Sequence, residues 1–215
     1  MAESSSYREW APPPHLAAGV ACLWTHVTDG STSGVVLPDG CGDVIWRAGH
    51  GAFVAGPDTG PLRNRFPTGT TFVGLRFRPG AGAAGLGLPL DEVVDRRVPI
   101  EDLGAVEAGL RPELTPSEAA SRLAGMATRA LSAVEPDPVV AHAIEMLCDP
   151  RQRLGAVRDR TGVSERQLRR RFVAAVGYGP KTLQRVLRFR AFLDRADEGV
   201  TLADAAVQAG YADQP

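Results

Sequence analysis

The sequence contains no apolar run that approaches the ~20 residues a membrane-spanning helix needs. Its first ten residues, MAESSSYREW, are polar and lack the apolar core of a secretory signal. The 215 residues are 44% hydrophobic and 23% charged, a composition typical of a globular chain with one large core or two small ones. We therefore expect a cytoplasmic protein without a membrane partner.

Cysteine is also scarce. The three cysteines, Cys22, Cys41 and Cys148, lie far apart, and no CxxC motif occurs. This argues against a zinc knuckle or a disulfide framework and fits a reducing compartment. Cys148 ends the apolar run AIEMLC and is expected to be buried in a helix. For Cys22 and Cys41, plain packing and a ligand or redox role both stay open.

Charge is unevenly distributed along a chain whose net charge is only −1. Residues 150–190 hold 12 basic side chains and two acidic ones, whereas residues 1–149 hold 11 arginines and 18 acids. A local net charge of +10 attracts a polyanion, whatever the average over the chain. A solvated helix face is the alternative, but such faces usually alternate in sign. We interpret the basic segment as binding nucleic acid.

Turn-forming residues concentrate in residues 1–100, which hold 15 of the 24 glycines and 10 of the 17 prolines. Short apolar runs between these turns predict strands at GVACLWTHV, SGVVLP, DVIW, GAFVAG and TFVGLRF. In the last run, Phe72, Gly74 and Arg76 should share one face of a sheet. A helix is expected over Gly80–Val94. The sequence predicts an α+β fold with a β-rich sandwich or barrel over residues 1–100.

A helix is predicted from Pro116 to Val134. Thr115 suits its N-cap, Pro116 its first position and Glu118 the third position of a capping box. An apolar stripe follows three-four spacing at Ala120, Leu123, Ala127, Ala130 and Val134. This stripe can pack on the domain's own core or on a second copy of the chain. We assign residues 101–134 to a helical linker that can also mediate dimerisation.

Residues 135–215 contain an internal repeat. LGAVRDRTGVSERQ, residues 154–167, aligns with LADAAVQAGYADQ, residues 202–214, at a separation of 48 residues. The alignment pairs Leu154 with Leu202, Val157 with Ala205, Gly162 with Gly210 and Val163 with Tyr211. Each copy predicts a short helix, a turn at glycine and the beginning of a second helix. This is the helix-turn-helix pattern, in which the second helix enters the major groove of DNA.

The second helix of the first copy, Ser164 to Val176, has two distinct faces. Ser164 suits its N-cap, and Leu168 and Phe172 share an inward face. On the outward face, arginine can hold guanine O6 and N7, and glutamine can hold adenine N6 and N7. Arg171 lies nearer the inward edge, where it should reach a phosphate or a carboxylate. The predicted DNA-contacting residues are Arg166, Gln167, Arg169, Arg170, Arg171, Lys181, Arg185 and Arg188.

These motifs together resemble the AraC/XylS family of transcription regulators. The pattern is Gly162-Val163-Ser164-x-Arg166-x-Leu168-x-Arg170-x-Phe172, then Gly177-Tyr178-Gly179-Pro180, a long helix, and Leu202-x-x-Ala205-Ala206-x-x-x-Gly210-Tyr211. The resemblance covers residues 138–215 and implies a bacterial, sequence-specific DNA-binding regulator with two helix-turn-helix units joined by one long helix. It also implies that the chain stops within the second unit. Arg158 departs from the family, which has a small residue there, so we expect its side chain to extend outward.

The N-terminal half resembles a sensor-like domain found in a subset of AraC-type regulators. The similar stretches are LPDGCGDVIW, FVGLRFRPGAG and PLDEVVD. An effector pocket is one interpretation of this half, with Arg76 as the partner of an anion and Phe53 and Phe77 in its wall. The alternative, in which the aromatic side chains simply form the core of a small domain, stays open. The predicted effector-binding residues are Trp24, Cys41, Trp46 and Arg76.

Two other classes of function are alternatives to a regulator. An enzyme has little support, because the four histidines form no HxH or HExxH pair and Asp39 and Asp43 lie in a glycine-rich turn. A DNA-repair alkyl transferase would need clustered metal cysteines, which the sequence lacks. We expect no catalytic residue, no metal and no cofactor. The expected partners are double-stranded DNA, a small-molecule effector, a second copy of the chain and RNA polymerase. The main alternative is a ligand-binding or interaction protein that no longer holds DNA.

Overall fold

A computed structural model describes residues 6–29, 34–104 and 109–211 and shows an α+β protein. The strands are β1 (Ser6–Trp10), β2 (Val20–Val27), β3 (Gly34–Val36), β4 (Asp43–Arg47), β5 (Gly51–Ala55), β6 (Leu62–Asn64), β7 (Thr71–Phe77) and β8 (Arg97–Pro99). The α-helices are α1 (Gly82–Leu86), α2 (Pro116–Ala133), α3 (Pro138–Leu147), α4 (Leu154–Thr161), α5 (Glu165–Val176), α6 (Pro180–Asp197) and α7 (Leu202–Gln208). The last four residues of the chain, which include the end of the second repeat copy, lie outside the described residues.

The strands form two antiparallel sheets. Six of them pair in the order β1-β2-β7-β4-β5-β8, and β3 pairs with β6 in a separate two-stranded sheet. The five strands predicted from apolar runs are confirmed as β2, β3, β4, β5 and β7. The sequence did not predict β1, β6 or β8, because SYREW, LRN and RVP are short or polar and carry no alternating apolar pattern.

The large sheet presents two chemically different faces. Val73, Leu75 and Phe77 of β7 are fully buried and pack into a core that includes Leu123 and Ala127 of α2. Phe72, Gly74 and Arg76 point to the opposite face, as the alternation predicts. The capping box of Thr115 and Glu118 is also confirmed. Leu123 and Ala127 of the apolar stripe are 0% exposed and pack on the domain's own core, whereas Val134 at the end of the stripe is 53% exposed.

The helix expected over Gly80–Val94 is mostly wrong. Only α1 is α-helical, and it ends at Gly87, whose φ of 69° lies in the left-handed region that glycine adopts freely. Pro89 follows, and a 3₁₀ turn at Leu90–Glu92 leads towards β8. The glycine and the proline therefore divide this segment into two short turns.

The helices α3 to α6 enclose a second core that includes Leu147, Phe172 and Leu183. Cys148 is exposed, contrary to expectation, because it lies one residue past buried Leu147 and helical rotation turns it away from the core. Arg158 extends outward as predicted, and its Nη2 lies 2.8 Å from Asp159 Oδ1.

The internal repeat is visible in the structure. Val157 of α4 and Ala205 of α7 are both 0% exposed, and Gly162 and Gly210 both adopt positive φ, 68° and 80°. Leu202, which aligns with Leu154, is instead 67% exposed. The two copies therefore share a supporting helix and a glycine turn.

Candidate nucleic-acid interface and ligand cavity

The helices α4 and α5 form a tight helix-turn-helix. Gly162 ends α4 in the left-handed conformation, and Ser164 then caps α5 by accepting a hydrogen bond from the Gln167 backbone N–H at 3.3 Å. Leu168 and Phe172 are 4% and 0% exposed, so one face of α5 is fixed against the helical core. The opposite face of α5 therefore points to solvent in a single, well-defined orientation.

Three arginines on that outward face form what we call the arginine face: Arg166, Arg169 and Arg170. All three are exposed. Across the described ranges, the structure gives none of them an ion pair or a hydrogen bond. Their guanidinium donors are therefore available to an external anion.

Three of the predicted DNA-contacting residues have internal partners. The side-chain oxygen of Gln167 accepts hydrogen bonds from the Ser164 N–H at 3.0 Å and its hydroxyl at 2.9 Å, which completes a capping box. In this rotamer Gln167 does not present both amide atoms to a base. The Ser-x-x-Gln spacing in the sequence could have predicted this role of Gln167, because it fits the capping box. Arg171 Nη1 lies 3.2 Å from both carboxylate oxygens of Asp137, and Arg188 Nε donates to Pro150 O at 2.8 Å.

The remaining predicted residues, Lys181 and Arg185 on α6, are exposed. Lys181 lines a groove between α4, α5 and the beginning of α6, together with Arg158 and Arg169. On its other side the arginine face borders Pro89 and Asp91 of the β domain. The structure thus places basic side chains from three helices around one end of α5.

The junction between α5 and α6, Gly177–Gly179, packs on the β domain. A Cβ added at Gly177 would lie 2.6 Å from Val94 Cγ2 and 2.8 Å from Pro57 Cγ. A Cβ at Gly40 would lie 2.8 Å from Leu183 Cδ1 of α6. These close approaches join loops of the β domain to the C-terminal end of α5 and to α6.

Tyr178 occupies the centre of this junction. It is 7% exposed, and within the described residues its hydroxyl is buried without a hydrogen-bond partner. Burial raises the pKa of Tyr178, and the nearby carboxylates of Asp39 and Asp58 raise it further. Tyr178 therefore lies near Asp39 and Asp58, which also line the cavity described next.

A cavity of about 470 Å³ lies on the second face of the large sheet. The residues that close it on the far side include Val36 of β3 and Asn64 of β6. A Cβ at Gly74 would lie 2.1 Å from the Trp24 indole, so glycine is what lets that ring lie flat on the sheet. Six rings line the space: Tyr7, Trp24, His26, Phe53, Phe66 and Phe72.

Arg76 lies at the charged end of the cavity, surrounded by acids. Strand register places it directly beside Asp43, whose carboxylate accepts two hydrogen bonds from the guanidinium at 3.2 Å each. Carboxylate oxygens of Asp39 and Glu9 both lie 3.5 Å from the same guanidinium. The carboxylates raise the pKa of Arg76, while burial raises the pKa of Asp43 to about 6 against the opposing effect of the arginine.

A second ion pair lies on the neighbouring edge of the cavity. Arg97 donates from Nη1 and Nη2 to the two carboxylate oxygens of Asp58, at 2.9 Å and 2.6 Å. This bidentate arrangement uses the strongest donor geometry that a guanidinium offers. Both arginines of the cavity are therefore already engaged by carboxylates.

The cavity contains most of the predicted effector-binding residues. Trp24, Cys41 and Arg76 line it, but Trp46 does not. Trp46 is 0% exposed on the opposite face of the sheet, where its Nε1 donates to Arg111 O at 2.8 Å. The period of two explains this, because Trp46 has the opposite parity to Asp43 and Ile45 in β4. Of the other expected wall residues, Phe53 lines the cavity and Phe77 lies in the core.

Thiol and metal chemistry find little support in this region. Burial, with a further effect of Asp39, raises the pKa of Cys41, and burial raises that of Cys22 to about 11. Both thiols therefore stay protonated near neutral pH and are poor nucleophiles. Among the described residues, no group of three or more His, Cys, Asp or Glu side chains is arranged to hold a metal ion.

Comparison with known proteins gives one match. Residues 8–99 match a family model described as a domain of unknown function (DUF6597). This segment extends from within β1 to the end of β8, so it contains nearly all of the sheet and the cavity but none of the helices α2–α7. Comparisons with curated proteins and with solved structures found no match. Within the described ranges, no helix has both the length and the apolar character needed to cross a membrane.

Proposed function

We propose that the protein is a sequence-specific, double-stranded-DNA-binding transcription regulator of the AraC/XylS type. In this proposal α5 enters the major groove, and the β domain binds a small effector. The observation that supports the proposal most strongly is the arginine face, which is exposed, forms no ion pair within the described residues and lies on the helix that a helix-turn-helix uses for DNA.

The chemistry of this face suits a base edge and a phosphate backbone. A major groove is about 12 Å wide and admits an α-helix, and arginine is the commonest partner of guanine O6 and N7. Lys181 and Arg185 on α6 provide exposed cations for phosphates, which fix orientation and not sequence. The local net charge of +10 in residues 150–190 supports the same partner.

The second repeat copy supports a two-part binding mode. The helix α6 has 18 residues, which corresponds to a length of about 27 Å at the helical rise. It separates α4 and α5 from α7, whose buried Ala205 repeats the role of Val157. A separation of this order is comparable to the ~34 Å between successive major grooves on one side of DNA.

The contact between the two domains supports regulation by an effector. The loops that carry Asp39 and Asp58, both cavity residues, adjoin Leu183 and Gly177 at the α5–α6 junction. A ligand that moved either loop would change the packing of the junction. The β domain would then bias the orientation of α5.

Selection from a random double-stranded DNA library, followed by fluorescence anisotropy, tests the proposal. The wild-type chain should prefer a selected sequence over a scrambled one by a factor of about 10³ or more near physiological salt. Arg170→Ala should lose much of that preference, whereas Arg63→Ala, an equal charge change on exposed β6, should retain it. If a folded wild-type protein selects no sequence, the alternative of a ligand-binding protein without DNA affinity is correct.

A further inference from the structure

We propose that the β-domain cavity binds an organic monocation with a planar, mostly apolar body. This inference deepens the effector role in the proposed function by naming the ligand's chemical class. Binding by the cavity does not itself require DNA, so the inference can be tested on its own.

The walls of the cavity suit an aromatic or other planar molecule. Phe66 and Phe72 meet edge to face with their centroids 4.8 Å apart, and Tyr7 lies 5.9 Å from Trp24. A volume of about 470 Å³ lies within the range of pockets that hold drug-sized ligands. Rings at several angles around one space also offer their negative faces to a cation.

The charges that line the cavity favour a cation over an anion. Three carboxylates, those of Asp39, Asp43 and Asp58, face two guanidinium groups, those of Arg76 and Arg97. Glu9 approaches Arg76 from the rim and adds a further negative charge. The lining residues therefore carry three acids and two bases, a net charge of −1. A ligand with a single positive charge would neutralise this net charge.

Both arginines are already paired with carboxylates. A carboxylate or phosphate ligand that took the paired donors would displace Asp43 from both of its hydrogen bonds with Arg76, or Asp58 from both of its bonds with Arg97. Displacement would leave Asp43, which is 9% exposed, as a buried unpaired charge. Arg47 does not line the cavity: its guanidinium stacks over Phe66 at 5.4 Å from the ring centroid, and its buried Nε has no hydrogen-bond partner among the described residues.

Asp39 is the best-placed anchor for the ligand's charge. Its side chain is 25% exposed, against 11% for Asp43 and 10% for Asp58. Within the described residues, its Oδ1 accepts the Cys41 N–H at 2.9 Å, and its Oδ2 lies 3.5 Å from Arg76, longer than the Asp43 bonds. A carboxylate oxygen can accept more than one hydrogen bond, so Asp39 can receive an ammonium donor without losing its present partners.

Isothermal titration calorimetry with three probes of equal shape tests the ligand class. The probes are tryptamine, tryptophol and indole-3-propionate, which carry a cation, a neutral hydroxyl and an anion on the same indole skeleton. Tryptamine should bind about tenfold more tightly than tryptophol, and indole-3-propionate should bind more weakly than both. Equal binding of all three, tighter binding of the anion or no binding of any of them by the folded chain would overturn the proposal.

Variants locate the site and control for net charge. Asp39→Asn should bring the tryptamine affinity to within about twofold of that for tryptophol. Asp102→Asn removes the same charge from an exposed 3₁₀ turn outside the cavity and should leave the tenfold preference unchanged. If Asp39→Asn, folded by circular dichroism, keeps the full preference for tryptamine, the cation is not held by this cavity.

Failure of this inference and failure of the proposed function give different results. If tryptamine shows no preference while selected DNA still binds, only the ligand class is wrong. If tryptamine binds through Asp39 but no DNA sequence is selected, the assignment of the ligand class is correct and the proposed DNA-binding function is wrong.

Discussion

The arginine face of α5 and the cavity of the β domain use the same side chain in opposite ways. On α5, the three exposed guanidinium groups form no ion pair with a carboxylate within the described residues, although Asp91 borders them. In the cavity, Arg76 meets three carboxylates and Arg97 meets one in bidentate geometry. A guanidinium without an internal ion pair can bind an external anion. A guanidinium that is paired with carboxylates stabilises the fold instead, and the remaining acidic side chain then determines which charge of ligand is favoured.

The largest difference should appear in stability. Arg76→Leu should lower the free energy of unfolding by about 3–5 kcal/mol, because it leaves Asp43 buried without its partner. Arg170→Leu should change it by less than about 0.5 kcal/mol, because that exposed guanidinium makes no ion pair or hydrogen bond within the described residues. Chemical denaturation of both variants measures the two values. Similar losses would mean that the two regions do not differ as described.

The next effect concerns DNA. Arg166→Ala should weaken binding to the selected sequence by about 1–3 kcal/mol and relax the preference at one base pair. Lys181→Ala should instead weaken binding to all sequences evenly and reduce the slope of log K against log salt by about 1. Anisotropy on a panel of single-base variants at several salt concentrations separates them. If both variants lose affinity equally for all sequences, Arg166 contacts the DNA phosphates and not a base.

The free energy of unfolding, measured against pH, should show the raised pKa of Asp43 in the cavity. Because burial raises the native pKa of Asp43 to about 6, the native state keeps a proton that the unfolded state loses near pH 4. The free energy of unfolding of the wild type, relative to Asp43→Asn, should therefore fall as pH rises through this window and level off above it. We expect a fall of roughly 2–3 kcal/mol, because each unit between the native and the unfolded pKa corresponds to ~1.36 kcal/mol. A rise over the same window would contradict a raised pKa.

The smallest effect involves the acid that borders the arginine face. Asp91→Asn removes a negative charge beside Arg166, Arg169 and Arg170 and should raise DNA affinity about twofold, given ~0.4 kcal/mol for unit charges ~10 Å apart in water. The gain should disappear at high salt. Asp102→Asn is the matched control. An equal gain in DNA affinity for this variant would show that the effect comes from the net charge of the protein and not from the position of Asp91.

The fold of α4 and α5 could be predicted well from the sequence because its signals are local. The glycine turn, the Ser164 cap and the spacing of Leu168 and Phe172 all lie within a few residues, so they fix which face of α5 is outward. Local spacing could not foresee that Arg171 would pair with Asp137 and that Arg188 would bind Pro150, since these contacts join residues more than 30 positions apart.

The cavity could be predicted only in part. Alternation in β7 places Phe72, Gly74 and Arg76 on one face, and it also excludes Trp46 once the parity of β4 is known. The neighbour of Arg76, however, depends on the antiparallel register of β4 against β7. That register is a property of the folded sheet, so the sequence suggested an anion partner for an arginine that already has three acids.

The most direct test of this comparison replaces one set of three arginines at a time. Arg166, Arg169 and Arg170 are changed together to alanine, and the control changes the exposed β-domain arginines Arg8, Arg63 and Arg65. Anisotropy with the selected DNA at fixed salt should show a loss of about 100-fold or more for the α5 variant and little change for the control. If the two variants lose affinity equally, or if the α5 variant binds the selected DNA as well as the wild type, the arginine face is not the DNA interface.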